Sequence, residues 1–255
     1  MPSRPPDIRA DHLPVLSHLG SGSQYHVFGE SGWVIKTPRI SPLSLISSAL
    51  RSRRWLHRIQ LEVGDLVLPF AEIERVAFRA PVVRTSLSEG TAVPNTQHVY
   101  RARRALVSPA AKPSDFLDQR FYAAGTATAI TLLRQMLDHL EALRSRRFIM
   151  LDFIMKNFVF HNRKLLIADP GLIVPAHLTR WHPSFLTTAL QFRHFLLRDY
   201  RDLLQKKNAP THFITEFADR ITALTKPPTI PPTNPVPAVF PPAVARDALD
   251  TLLPS

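Results

Sequence analysis

The sequence predicts an α+β fold with a β-rich N-terminal lobe followed by a mainly helical one. Three observations predict it. Leu19–Phe28 and Trp33–Lys36 read as strand, glycine-rich turn, strand and return strand. Leu132, Leu133, Met136, Leu137, Leu140 and Leu143 recur at helical spacing. Phe158–Phe160 and Leu165–Ile167 flank His161-Asn162-Arg163 as strand, turn and strand, so a second hairpin interrupts the helical half. A chain of 255 residues has ample length for a core of this kind. The expected division is an N-terminal tail over 1–12, an N-lobe over 13–110, a C-lobe over 111–225 and a Pro-rich segment over 226–255.

Each element follows from local chemistry. Residues 13–36 carry the glycine-rich hairpin. Leu43, Ile46, Leu50, Leu56 and Ile59 form a partial helical stripe across 43–60 with a basic opposite face, until Gly64, Asp65 and Pro69 interrupt it. A short helix is expected over Ala71–Phe78 and a strand from Ala80. Glu89-Gly90 and Pro94-Asn95 read as turns, and His98–Val107 as the last strand of the N-lobe. The inter-lobe linker is expected near Leu106–Pro113. Ser114-Asp115 is a plausible helix cap, and the leucine stripe continues the helical run to Arg147. Residues 183–205 and 211–225 read as two more helices. Eight prolines between Lys226 and Pro242 exclude a helix or central strand there.

Composition bounds the chemistry. There are no cysteines, so disulfides and thiolate zinc sites are excluded. The first seven residues carry no apolar signal core, and no apolar run approaches membrane-spanning length. A soluble, cytoplasmic protein without an integral membrane segment is expected, or one exported without a classical signal. Lys and Arg number 32 against 20 Asp and Glu, a net charge of +12 that attracts anionic partners. Arg51, Arg53, Arg54 and Arg58 form one basic cluster and the first candidate for such a partner. Arg101, Arg103 and Arg104 form a second, and Arg144, Arg146 and Arg147 a third. Aromatic residues do not interleave with them as a base-stacking platform requires, so nucleic acid is not the expected ligand. The eleven histidines are scattered, without an H-E-x-x-H, and the chain has no G-x-S-x-G elbow.

The chemistry-bearing run is Leu151-Asp152-Phe153-Ile154-Met155-Lys156-Asn157-Phe158, with Asp169-Pro170-Gly171 beginning twelve residues after Asn157. Asp, then Asn five residues later, then Asp closing an apolar strand suits phosphoryl transfer. That reaction asks mainly for positioning and for neutralisation of developing charge. One carboxylate, Asp152, would orient an attacking hydroxyl, while Asn157 and Asp169 would hold Mg²⁺. Upstream, Gly20-Ser21-Gly22-Ser23 can bring backbone N–H groups close to phosphates. Lys36, on the return strand, can neutralise them.

These pieces resemble the protein-kinase signature set, in which G-x-G-x-x-G-x-V, V-A-I-K, H-R-D-x-x-x-x-N and D-F-G follow in that order. The resemblance implies a two-lobed kinase-like fold with a shortened helical C-lobe, binding ATP and Mg²⁺ between the lobes. It implies transfer of the γ-phosphoryl group to a hydroxyl on a small molecule, a sugar or a protein. Asp152 would be the base, Tyr25 would replace the third glycine and cap the phosphates, and Val27 would cover the adenine. Lys156 stands four residues after Asp152, where tyrosine kinases place an Arg, and could contact the γ-phosphate. Leu172-Ile173-Val174-Pro175 and Thr179-Arg180-Trp181 are similar to the small bacterial kinase-like family of PhoP regulatory network proteins. Minimal kinase-like bacterial effectors share the G-x-G-S-Q turn and the D-P pair.

The chain departs from the family pattern in three places. Met150-Leu151 stands where kinases carry His-Arg. No acid occurs between Lys36 and Glu62, so Glu62, or else Glu72, is the expected partner of Lys36. No A-P-E follows Asp169-Pro170-Gly171, which argues against a peptide-docking activation segment. A non-catalytic regulatory member of the fold, and a basic nucleic-acid-binding module, are the competing classes.

Overall fold

A computed structural model describes residues 13–21, 25–30, 32–38, 53–85, 90–150, 153–176 and 197–225. The N-terminal half is one antiparallel sheet built from β1 (Ser17–Ser21), β2 (Tyr25–Glu30), β3 (Trp33–Pro38), β4 (Ala71–Thr85) and β5 (Gly90–Pro109). Its spatial order is β1-β2-β3-β5-β4, with helix α1 (Arg53–Val63) in the chain between β3 and β4. The sheet curls until its two edges meet. Leu16 donates its N–H to the Arg79 carbonyl at 2.8 Å, and Arg79 donates to that of Pro14 at 2.8 Å. Leu16, Phe28, Ile35, Val76, Phe78, Ala80, Ala105 and Val107 fill the space enclosed. The Phe28 ring lies edge-on to Phe78 and tilted against Tyr100, an arrangement that aromatic quadrupoles favour.

Two sequence expectations are corrected here. Residues Ala71–Phe78 form the first half of β4 rather than a helix. Their spacing suits either element, and ladder pairing with β5 from Ala71↔Val107 onward decides for the strand. Pro94-Asn95 is not a chain-reversing turn but lies within β5. Pairing passes from Pro81↔Gln97 to Val83↔Ala92, so residues 93–96 form a wide irregularity. A proline, which has no N–H to give a ladder, is tolerated at such a bulge. The Tyr100 hydroxyl staples it, donating to the Pro81 carbonyl and accepting from the Val83 N–H, each at 3.1 Å.

The second half packs helices around two short hairpins. It contains α2 (Leu117–Ala123), α3 (Thr126–Ser145), β6 (Phe148–Met150), β7 (Phe158–His161), β8 (Lys164–Ile167) and β9 (Ile173–Pro175). Helix α4 over residues 197–206 and helix α5 (Thr211–Thr225) follow. Strand β6 pairs with β9, and β7 with β8. Helix α3 buries Ala129, Leu132, Leu133, Met136, Leu137, Leu140 and Leu143, the i, i+3, i+4 stripe expected of it. Lys112 and Asp115, rather than Ser114, make the capping exchange at the 3₁₀ turn Pro113–Asp115. Positions 183–196, the tail 1–12 and the Pro-rich segment 226–255 lie outside the described residues.

The two halves share a core. Ile59 and Val63 of α1, with Leu66 and Val67 after it, are buried in the same cluster as α3, Phe148 and Phe158. His139 of α3 sits 2.7 Å through Nε2 from the Leu66 carbonyl. Burial lowers its pKa from the ordinary histidine value, with Arg146 pushing the same way and Leu66 and Asp65 opposing. Arg146 reaches back to the Asp65 carboxylate and the Glu62 carbonyl. Among the described residues, no helix is long and apolar enough to cross a membrane.

Candidate functional site

Lys36 joins the two halves at the candidate site. Ladder pairing sets Val27 opposite Lys36, Lys36 opposite Leu106 and Leu106 opposite Glu72, one row across four strands. Ile35 points into the sheet core, so alternation turns Lys36 outward, toward the second half. Its Nζ donates to the Ala168 carbonyl at 3.0 Å and lies 4.0 Å from Asp169 Oδ1. Both side chains are partly buried, at 15% and 22% exposure, so the attraction is less screened than at an open surface.

Asp169 is held just past the end of β8. Its Oδ1 accepts from the Gly171 N–H at 3.0 Å, capping the 3₁₀ turn Pro170–Leu172. Among the described residues Oδ2 makes no hydrogen bond, which leaves a hard oxygen available to a cation. The strand behind it is pinned on both edges. Leu68 donates to the Ile167 carbonyl at 2.9 Å, and Ala168 donates to the Asn157 carbonyl at 2.8 Å. The Asn157 backbone thus stands one residue from Asp169 across the β7–β8 pair. Among the described residues no three His, Asp or Glu side chains gather as a self-sufficient metal site.

The segment that carries Asn157 is anchored from below. Phe153 and Met155 are buried, Lys156 is exposed, and Asn157 donates its N–H to the Ile154 carbonyl at 3.0 Å. The Met155 N–H donates to the buried Tyr200 hydroxyl at 3.1 Å. Tyr200→Phe deletes that acceptor and leaves a buried N–H unpaired. It is expected to cost about 1–3 kcal/mol in urea unfolding, with the fold retained.

The other site residues of the sequence are distributed as follows. Gly20 and Ser21 end β1, and Gly20 has φ of 159° at the register shift between His18 and Gly20, a conformation that suits glycine. Gly22, Ser23, the side chain of Ser21 and the candidate base Asp152 lie outside the described residues. Tyr25 is buried with Leu56 and Leu106 between sheet and α1, which gives its ring a packing role. Val27 is partly buried on the Lys36 row.

Neither candidate acid reaches Lys36. Glu62 is exposed and pairs with Arg58, four residues back on α1. Glu72 shares the Lys36 row, but its carboxylate pairs with Arg104 at 3.3 Å. Of the basic cluster Arg51–Arg58, Arg58 also lies over the Phe148 ring at 5.7 Å, while Arg51 and the side chains of Arg53 and Arg54 are outside the described residues. Sequence reasoning missed two groups. The Ala168 carbonyl has no side-chain signal at all. Tyr200 stands on an apolar helical face with Leu197 and Leu204, where a lone hydroxyl is a weak signal. No protein-family model matches the chain, and no curated protein sequence matches it significantly.

Proposed function

We propose that the chain is an ATP–Mg²⁺-dependent phosphotransferase of two-lobed, kinase-like fold that moves the γ-phosphoryl group to a hydroxyl acceptor. The observation that carries this reading is the Lys36 ammonium on the Ala168 carbonyl, 4.0 Å from the Asp169 carboxylate. It brings a phosphate-neutralising cation, a metal-ligating carboxylate and the Asn157 backbone together from segments more than a hundred residues apart. The strand order β1-β2-β3-β5-β4 with a helix between β3 and β4 supports the fold assignment, as do the β6–β9 and β7–β8 pairs flanking the Asp152 and Asp169 segments.

In this reading Lys36 binds the α- and β-phosphates, and the glycine turn at Gly20–Ser23 offers them backbone N–H groups. Asn157 and Asp169 would hold Mg²⁺, which neutralises charge on the transferring phosphoryl group. Asp152 orients the acceptor hydroxyl, and exposed Lys156 is available to an anionic substrate. Incubating the purified chain with γ-labelled ATP, Mg²⁺ and cell extract tests it. Label in a protein or small-molecule fraction is expected. ATP binding without any transfer would instead favour a regulatory, non-catalytic protein. One observation favours that second reading: Glu62 and Glu72 are engaged by Arg58 and Arg104, so neither holds Lys36.

A further inference from the structure

The hairpin of β4 and β5 carries a row of arginines that the linear sequence disperses. Phe78, Ala80, Tyr100 and Ala102 face the enclosed core, so Arg79 and Arg101 face outward, and both are exposed. Pairing of Ala77 with Arg101 and of Arg79 with Val99 makes these two diagonal neighbours on adjacent strands. Nearer the base of the hairpin, Ile73 and Ala105 face the core, as do Val76 and Ala102. Two residues therefore lie between consecutive core positions on each strand, and Glu74, Arg75, Arg103 and Arg104 are all exposed. Pairing of Glu74 with Arg104 and of Val76 with Ala102 places Arg75 and Arg103 between the same two rungs, without a ladder pairing of their own.

This arrangement is unfavourable for folding alone. Arg75 has φ of 56°, a left-handed conformation that a long side chain adopts at a cost. Like charges on neighbouring strands of a sheet repel. Arg75, Arg79, Arg101 and Arg103 make no ion pair among the described residues, whereas Arg104 is neutralised by Glu72. Successive outward positions on a strand are about 7 Å apart, so the four guanidinium groups can track a line of negative charges.

We infer that this face of the β4–β5 ribbon binds the phosphate backbone of a nucleic-acid duplex. Guanidinium groups pair with phosphate oxygens bidentately and are the preferred cation for that contact. A duplex is favoured over a single strand because Ala77 and Val99 are the residues between the arginines, and neither offers a ring to a base. Duplex binding needs no such platform, since phosphate contacts alone position a protein on a double helix. The apolar side chains beside this row, Val99 and the exposed Val15 bridged to Arg79, offer too little area for insertion into a lipid surface. The inference stands independently of the phosphotransferase reading.

The test uses the whole chain and fluorescein-labelled DNA and RNA duplexes of about 20 bp, with anisotropy read between about 50 and 200 mM KCl. Binding that weakens steeply with salt is expected. Arg101→Gln with Arg103→Gln should reduce the slope of log affinity against log salt by about 2, near 0.9 per lost phosphate contact. The same pair should weaken affinity at least tenfold. Lys164→Gln with Arg201→Gln, which removes two exposed charges elsewhere, should leave the slope within half of that change. Three results would overturn the proposal. They are no duplex binding at about 10 µM protein, wild-type binding by the Arg101/Arg103 variant, or binding to phosphatidylserine vesicles that excess duplex does not displace.

Discussion

Asp169→Asn is expected to remove the Mg²⁺-dependent part of the stabilisation that ATP confers. Asparagine preserves the shape of the side chain and can still accept the Gly171 N–H, so the turn Pro170–Leu172 keeps its cap. What it loses is negative charge at the oxygen facing Lys36 and at Oδ2, the atom that would ligate the metal in the proposed site. Ligand at a hundred times its dissociation constant stabilises the native state by about 2.7 kcal/mol. In a chain of this size that is about 5–10 °C of melting temperature. Wild-type protein should show a rise of that order with millimolar ATP and Mg²⁺, and a smaller one with ATP in EDTA. The variant should show the smaller rise under both conditions. A wild-type melting curve that ATP–Mg²⁺ leaves unmoved would sink the nucleotide-binding reading. A variant retaining the full Mg²⁺-dependent rise would move the metal away from Asp169.

How far the sequence could be read depended on the distance over which each feature is decided. The leucine stripe of α3 and the β7–β8 hairpin are written in neighbouring residues, and both stand where periodicity predicts them. The strand from Ala71 is decided by its pairing with Val107, thirty-six residues on, and a helical reading of Ile73, Val76 and Ala77 was equally open. Pro94 signals broken pairing correctly, yet whether that break reverses the chain or only bulges it depends on the partner strand. At the site, the motifs single out Lys36 and Asp169, but not the contact that Lys36 makes. Lys36 meets the carbonyl of Ala168, and a backbone acceptor 132 residues away has no residue type to betray it. The carboxylates that the sequence offers to Lys36, Glu62 and Glu72, are instead occupied by local arginines. Tyr25 shows the same limit. Its place beside the glycine turn suggested a phosphate cap, while long-range packing against Leu56 and Leu106 buries the ring.

The Lys36 contact also bears on the choice between catalyst and regulator. The Lys36 ammonium rests on the Ala168 carbonyl and beside the Asp169 carboxylate. Helix α1 is meanwhile fixed to the second half through Ile59, Val63 and the Arg146 contacts. In the proposed site no swing of α1 would be needed to bring Lys36 to its partners, which weighs for catalysis against the missing acid.

Asp152→Asn separates the two classes most sharply. Its loop is bounded by Met150, which pairs with Ile173 in β6–β9, and by buried Phe153, so both flanks are anchored to the core. The substitution keeps the side chain's size and removes its negative charge and its capacity to accept a proton. General-base contributions are typically about 10²–10⁴-fold in rate, and turnover of γ-labelled ATP onto the acceptor should fall by that factor. The ATP–Mg²⁺ melting shift should survive, because in the proposed site Lys36, Asn157 and Asp169 would bind phosphate and metal without Asp152. The split between lost turnover and retained binding is the signature of a base. Transfer at the wild-type rate in Asp152→Asn would refute the role, and loss of the melting shift along with turnover would make Asp152 part of the binding site instead.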